Sequence, residues 1–182
     1  LKGGDPTVFG RLDEEIDAAV KAGIAYTIVP GITAASAAAA HAGVPLTQRG
    51  IARSVTLLTP AVGRDEAPNP QGVNAATSGA TVAVYMAGNR LTETARQLVA
   101  AGFPHDTPAL IATGVATPAE TLTHSDLGVL ARAQIVPLRS SIDPTADTNH
   151  RPPCLLLAGA AVAHRAKRSN SVQATAGESQ LI

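Results

Sequence analysis

The chain has 182 residues and a formal net charge of zero; 45% of it is apolar but only 2% aromatic. That length can bury a core as one domain or two small ones, and the scarcity of rings makes the core aliphatic and alanine-rich. Balanced charge excludes a general nucleic-acid binder, a single cysteine excludes a disulfide framework or Cys-rich metal site, and no apolar run is long enough to span a bilayer, which leaves a soluble, cytoplasmic protein as the default.

The first stretch, Leu1 to Arg11, reads as a glycine-lined turn leading into a helix that begins near Leu12. Gly3 and Gly4 permit φ > 0 and close backbone approach to a ligand. Asp5 precedes Pro6 and is held out of the α region, which stiffens the turn. Its short carboxylate can accept hydrogen bonds from a hydroxyl or an amine. Taken alone, the same residues suit an ordinary surface turn.

Asp13 to Ala22 predicts a helix. Ile16, Ala19 and Val20 recur at helical spacing, and Asp13, Glu14 and Glu15 crowd the first turn, where the helix dipole favours negative charge. Gly23 stops it. Ile24 to Val29 is short and β-rich and predicts a buried strand. Pro30-Gly31 breaks that run, and Thr33 is a suitable N-cap for an alanine-rich helix ending at Gly43. Strand, glycine turn and helix make one step of a parallel sheet, in which ligands sit beyond the carboxyl ends of strands.

Val44 to Gly50 carries no periodicity and is assigned as a linker. Strands are expected at Ser54–Thr59, Ala80–Met86, Ala109–Thr113 and Cys154–Gly159, with a short one at Thr121–Thr123. A helix is expected over Leu91–Ala101, with Leu91, Ala95, Leu98 and Val99 on one face. Another follows, capped by Ser125 and running to about Ala133. Pro60 to Gly79 is a polar loop whose length points to function or disorder. Pro137 to Pro153 is irregular, and the chain from Lys167 is polar and predicted to be disordered.

Five histidines (His41, His105, His124, His150 and His164) have no metal-ligand spacing and read as surface or satisfied core residues. Cys154 at a strand start reads as a small buried hydrophobe. There is no serine elbow, phosphate-binding loop or zinc pattern, so no metal is expected.

The order of the turns is more specific than any one of them. Leu1-Lys2-Gly3-Gly4-Asp5-Pro6 with Phe9-Gly10-Arg11 comes first. Pro30-Gly31-Ile32-Thr33-Ala34, Val44-Pro45-Leu46-Thr47-Gln48-Arg49-Gly50 and Ser54-Val55-Thr56 follow, then Tyr85-Met86-Ala87-Gly88 and Arg151-Pro152-Pro153. Over about Leu1 to Arg165 this series resembles the uroporphyrinogen-III C-methyltransferase family, which includes the C-terminal module of sirohaem synthase.

The resemblance implies an α/β, tetrapyrrole methylase-like fold of two α/β domains with the first incomplete. Residues 1–48 would be the C-terminal half of a parallel-sheet domain, residues 49–165 a second domain with a mixed sheet, and residues 166–182 a disordered tail. It implies S-adenosyl-L-methionine as cofactor, yielding S-adenosyl-L-homocysteine, with Gly3, Gly4, Asp5, Val8, Thr33, Ala34, Met86 and Val115 as its contacts. Gly114-Val115-Ala116 departs from the family's usual turn at that place. The substrate implied is uroporphyrinogen III, an octacarboxylate, and Arg forks suit carboxylates. Arg11 and Arg49 are the substrate-binding candidates, with Arg53, Arg90 and Arg151 behind them.

A homodimer is also implied. The family's first glycine-rich loop and the acid assigned as proton acceptor would precede Leu1. The expectation is therefore a fragment, inactive alone, that exposes an apolar face of its first domain. Two alternatives stay open: a methylase of a later corrin intermediate, and a non-catalytic remnant that binds the adenosyl product or a partner.

Overall fold

The computed structural model describes residues 3–60, 76, 78–133 and 152–163. Most of the expected loop at 60–79, the 137–151 part of the irregular stretch, Arg151, His150, His164 and the expected tail lie outside the described residues.

Helix α1 spans Leu12–Lys21 and helix α2 spans Ala34–Ala42. Both end in the same way. Gly23 (φ 66°) and Gly43 (φ 67°) take the left-handed conformation. In α1 the nitrogens of Gly23 and Ile24 donate to the carbonyls of Val20 and Ala19, and in α2 those of Gly43 and Val44 donate to Ala40 and Ala39. Orphan carbonyls of each last turn are thereby satisfied, which is why glycine follows each helix.

Ile24–Val29 is not a strand. Its β-rich composition gives the propensity, but a strand needs a ladder, and no described strand pairs with it. Its side chains stand in solvent: Ile24 is 62% exposed and Val29 73%. With α1, which buries no residue, this segment forms the expected exposed apolar face. An open groove of about 490 Å³ runs between them, lined by Ile16, Tyr26 and Ile28 among others.

The core is a five-stranded mixed sheet in the order β1-β2-β5-β3-β4. Its strands are β1 (Val55–Leu58), β2 (Thr81–Tyr85), β3 (Pro108–Thr113), β4 (Thr121–Asp126) and β5 (Cys154–Ala158). β1 and β2 are parallel, and every other pair is antiparallel. β4 is longer than predicted. It pairs with β3 from Thr113↔Thr121 to Pro108↔Asp126, so Ser125 lies in the ladder and caps nothing. The cap is Asp126, whose Oδ1 accepts from the Val129 nitrogen at 2.7 Å.

Side chains of the central strands alternate between two cores. Val82, Val84, Ala109, Leu156 and Ala158 face helices α3 (Leu91–Ala100) and α4 (Leu127–Arg132). Ala83, Tyr85, Leu110, Ala112, Leu155 and Leu157 face Ala35, Ala38 and Ala39 of α2. Alanine is what allows α2 to lie close on the sheet: Ala35 and Ala38 are fully buried. Residues before 48 and after 49 thus share one core.

Candidate functional site

β2 and β3 both run antiparallel to β5, which lies between them, so their carboxyl ends open on one edge of the sheet. Met86 follows β2 and Gly114-Val115-Ala116 follows β3. The start of β5 holds both turns, because Ala87 N donates to the Cys154 carbonyl at 3.1 Å and Gly114 N to the Pro153 carbonyl at 3.0 Å. The Pro152-Pro153 motif therefore positions this edge.

Backbone strain collects here. Among the described residues, four non-glycine residues have positive φ: Phe9 (51°), Arg11 (53°), Met86 (55°) and Ala116 (62°). Each belongs to one of the turns singled out in the sequence. Left-handed geometry on residues with a Cβ is uncommon and clusters at ligand sites. At Met86 it ends a wholly buried strand with a side chain that is 52% exposed, so Met86 is not the core methionine that composition alone would favour.

The two N-terminal turns lie against each other. A Cβ on Gly31 would collide with the carbonyl of Gly4, its carbon only 2.8 Å away. Gly4 has φ 82°, whereas a Cβ on Gly3 would meet nothing within 4 Å, so close approach requires glycine at Gly4 and Gly31 but not at Gly3. Asp5 joins the turns. Its Oδ1 accepts from Thr7 N at 2.8 Å and Thr7 Oγ1 at 2.5 Å, and its Oδ2 accepts from Gly31 N at 3.3 Å. The Thr7 bonds, with a smaller contribution from Gly31, hold the Asp5 carboxyl below its ordinary value.

Thr33 is the N-cap residue of α2 by position, but its side chain makes no capping bond. Its Oγ1 instead lies 2.5 Å from Tyr85 Oη. Tyr85 Oη also accepts from Ala35 N at 3.3 Å, so a strand residue caps the helix from outside. The Tyr85 ring packs on Phe9 with centroids 4.9 Å apart. Val8 and Val115 pack on the same core as Tyr85. Tyr85 and Phe9 were missed as individual site residues; the Tyr85-Met86 pair in the sequence was the available signal.

His41 Nδ1 of α2 lies 2.7 Å from Glu120 Oε2. That oxygen also accepts from Ala116 N at 2.8 Å, tying the turn after β3 to α2. Histidine spacing gave no hint of this.

The arginine candidates stand apart from these contacts. Arg11 forks onto Glu14, through Nε to Oε1 at 2.6 Å and Nη2 to Oε2, and that carboxylate raises its pKa further. Arg49 lies exposed in the tight turn closed by Gln48 and Ala52, and Arg90 donates to the Pro60 carbonyl at 3.1 Å. Cys154 is half-buried, and burial pushes its thiol up despite a bond to Thr113, the opposite of an activated nucleophile. No group of three or more metal-ligating side chains occurs among the described residues. No described helix is long and apolar enough to cross a membrane.

Residues 1–131 match the family of tetrapyrrole (corrin/porphyrin) methylases. A uroporphyrinogen-III C-methyltransferase from Paracoccus denitrificans is 43% identical over 133 residues, covering 73% of this chain and 46% of that protein. A siroheme synthase from Gluconacetobacter diazotrophicus is 40% identical over 168 residues, covering 91% of this chain and 33% of that protein. The chain thus spans about half or less of these relatives' length. A crystal structure of the Thermus thermophilus uroporphyrin-III C-methyl transferase complexed with S-adenyl homocysteine superposes with a TM-score of 0.68 at 29% identity, covering 89% of this chain and 65% of that one.

Proposed function

From the premise that the chain belongs to the tetrapyrrole methylases, we propose that it forms the donor-binding part of an S-adenosyl-L-methionine-dependent C-methyltransferase that converts uroporphyrinogen III to precorrin-2. The observation that carries this reading is the meeting of the glycine turns at Gly4 and Gly31, bridged by Asp5, beside a sheet edge where Met86 is turned out of the core. Such a cradle of backbone and short polar groups fits an adenosyl ligand. Identity to the uroporphyrinogen enzymes favours that substrate within the family.

When bound, the donor would supply an electrophilic methyl and its own thioether leaving group, so this chain need mainly align it. Gly3, Gly4, Asp5 and Val8 would hold it from the first turn, Thr33 and Ala34 from the start of α2, and Met86 and Val115 from the sheet edge. Residues 1–48 and the sheet of residues 49–165 would thus grip it between them. Arg11 and Arg49 would meet carboxylates of the tetrapyrrole, Arg11 by exchanging its Glu14 partner for one. The proton lost from the macrocycle needs an acceptor that none of these residues provides, and we assign none in this chain. A cytoplasmic homodimer accompanies the reading.

The test is transfer of label from methyl-labelled S-adenosylmethionine to uroporphyrinogen III by the protein made from the whole coding sequence. Label in the tetrapyrrole that falls in an Asp5→Ala variant supports the proposal. A folded protein that binds S-adenosylhomocysteine but transfers methyl only to another corrinoid would replace the substrate.

A further inference from the structure

Tyr85 touches three of the segments placed around the donor. Its hydroxyl meets Thr33 Oγ1 and Ala35 N, its ring packs at a tilt against Phe9, and its own backbone leads into Met86. It is buried, 8% exposed, at the end of β2. The usual device at a helix start is the N-cap hydroxyl accepting from the second or third backbone nitrogen. Here the second nitrogen, that of Ala35, is taken by Tyr85, and the hydroxyl of Thr33 is left out of the cap.

We propose that Tyr85 is a positioning residue of the donor site: by capping α2 in place of Thr33, it frees the Thr33 hydroxyl for the ligand and fixes its direction. A phenol has one hydrogen and two acceptor lone pairs. In the proposed arrangement Oη accepts from Ala35 N and gives its hydrogen to Thr33 Oγ1, a contact in which either oxygen can be the donor. Thr33 then keeps its own hydrogen to donate outward, to a ribose or carboxylate oxygen. The Phe9 ring keeps the phenol from turning and binds the first turn to the same point. This rests on the donor-binding function proposed above.

The experiment is titration of the protein made from the whole coding sequence with S-adenosylhomocysteine, for the parent, Tyr85→Phe, Thr33→Val and the double variant, at temperatures below each thermal midpoint. Tyr85→Phe retains the ring on Phe9 and removes only the hydroxyl. The expected result is a Kd raised about tenfold, the usual scale for one lost hydrogen bond. Thr33→Val is expected to weaken binding at least as much, and the double variant no further than Thr33→Val alone, because Tyr85 acts through Thr33. Amide exchange at Ala35 should accelerate in Tyr85→Phe. A merely structural tyrosine would lower the midpoint and leave the folded protein's affinity unmoved; that result overturns the inference while the donor site stands. A folded parent that binds no S-adenosylhomocysteine overturns the proposed function and this inference with it. Should Tyr85→Phe fail to fold, a Thr33→Ser variant that retains parental affinity while Thr33→Val loses it supports the hydroxyl pairing, and equal affinities in the two overturn it.

Discussion

The carboxylate of Asp5 reaches the backbone nitrogen of Gly31, 26 residues along the chain, at 3.3 Å. With Oδ1 committed to Thr7, the side chain both shapes its own turn and ties that turn to the next. Its ordinary value is lowered, first by the Thr7 hydroxyl and then by the Thr7 nitrogen. The contribution of these bonds is present above the unfolded-state pKa and is lost as pH falls through the lower folded one. NMR titration of the Asp5 carboxyl should give a value below that of an unstructured aspartate, and Thr7→Ala should return it most of the way. An unshifted Asp5 would mean the Thr7 bonds do not persist in solution.

Gly31→Ala and Gly3→Ala should separate cleanly. The first drives a methyl into the Gly4 carbonyl, while the second projects one into open space. Overpacking of this kind costs about 2 kcal/mol, so Gly31→Ala should lower the thermal midpoint and weaken binding of S-adenosylhomocysteine. Gly3→Ala should leave the midpoint where it is, since its methyl meets no protein atom. Equal behaviour of the two variants would show that the turns do not touch.

The His41–Glu120 pair should be a weak clasp rather than a stabilising element. Its side chains are 41% and 25% exposed, and such pairs couple by less than about 1 kcal/mol. A double-mutant cycle of His41→Ala and Glu120→Ala should give a coupling of that size. Glu120→Ala should exceed His41→Ala in effect, because it also removes the acceptor for Ala116 N.

Cys154 should react sluggishly. Burial raises its pKa, and the bond to Thr113 opposes the rise only in part. Alkylation at mildly alkaline pH should be slower than for a free cysteine peptide, and slower again in Thr113→Val. Fast reaction in the folded protein would contradict the packed position beside Gly88, where a Cβ would lie 3.5 Å from that of Cys154.

These relationships divide by how much of their cause lies in neighbouring residues. Helix α3 was legible because Leu91, Ala95 and Leu98 carry their periodicity locally, and the ends of α1 and α2 because glycine marks a left-handed stop. Strand β2 was legible through the alternation of Ala80 to Met86, and β5 as a short apolar run ending at Gly159, both of them local signals. Ile24–Val29 was misread since propensity is local while a ladder is not. β4 was cut short because Ser125 resembles a cap, whereas its ladder to β3 decides the outcome and Asp126 takes the capping role. Around the site, Gly4, Asp5, Thr33 and Met86 were visible through turn chemistry and motif order. The Thr33–Tyr85 bond spans 52 residues, and no local pattern announces it.

The donor site is tested most directly by calorimetric titration with S-adenosylhomocysteine of the protein made from the whole coding sequence, beside its Asp5→Ala variant. Saturable binding by the parent, weakened about tenfold or more in the variant, is the predicted result. A chain whose circular dichroism and cooperative melting show it folded, yet which takes up no S-adenosylhomocysteine, would contradict it.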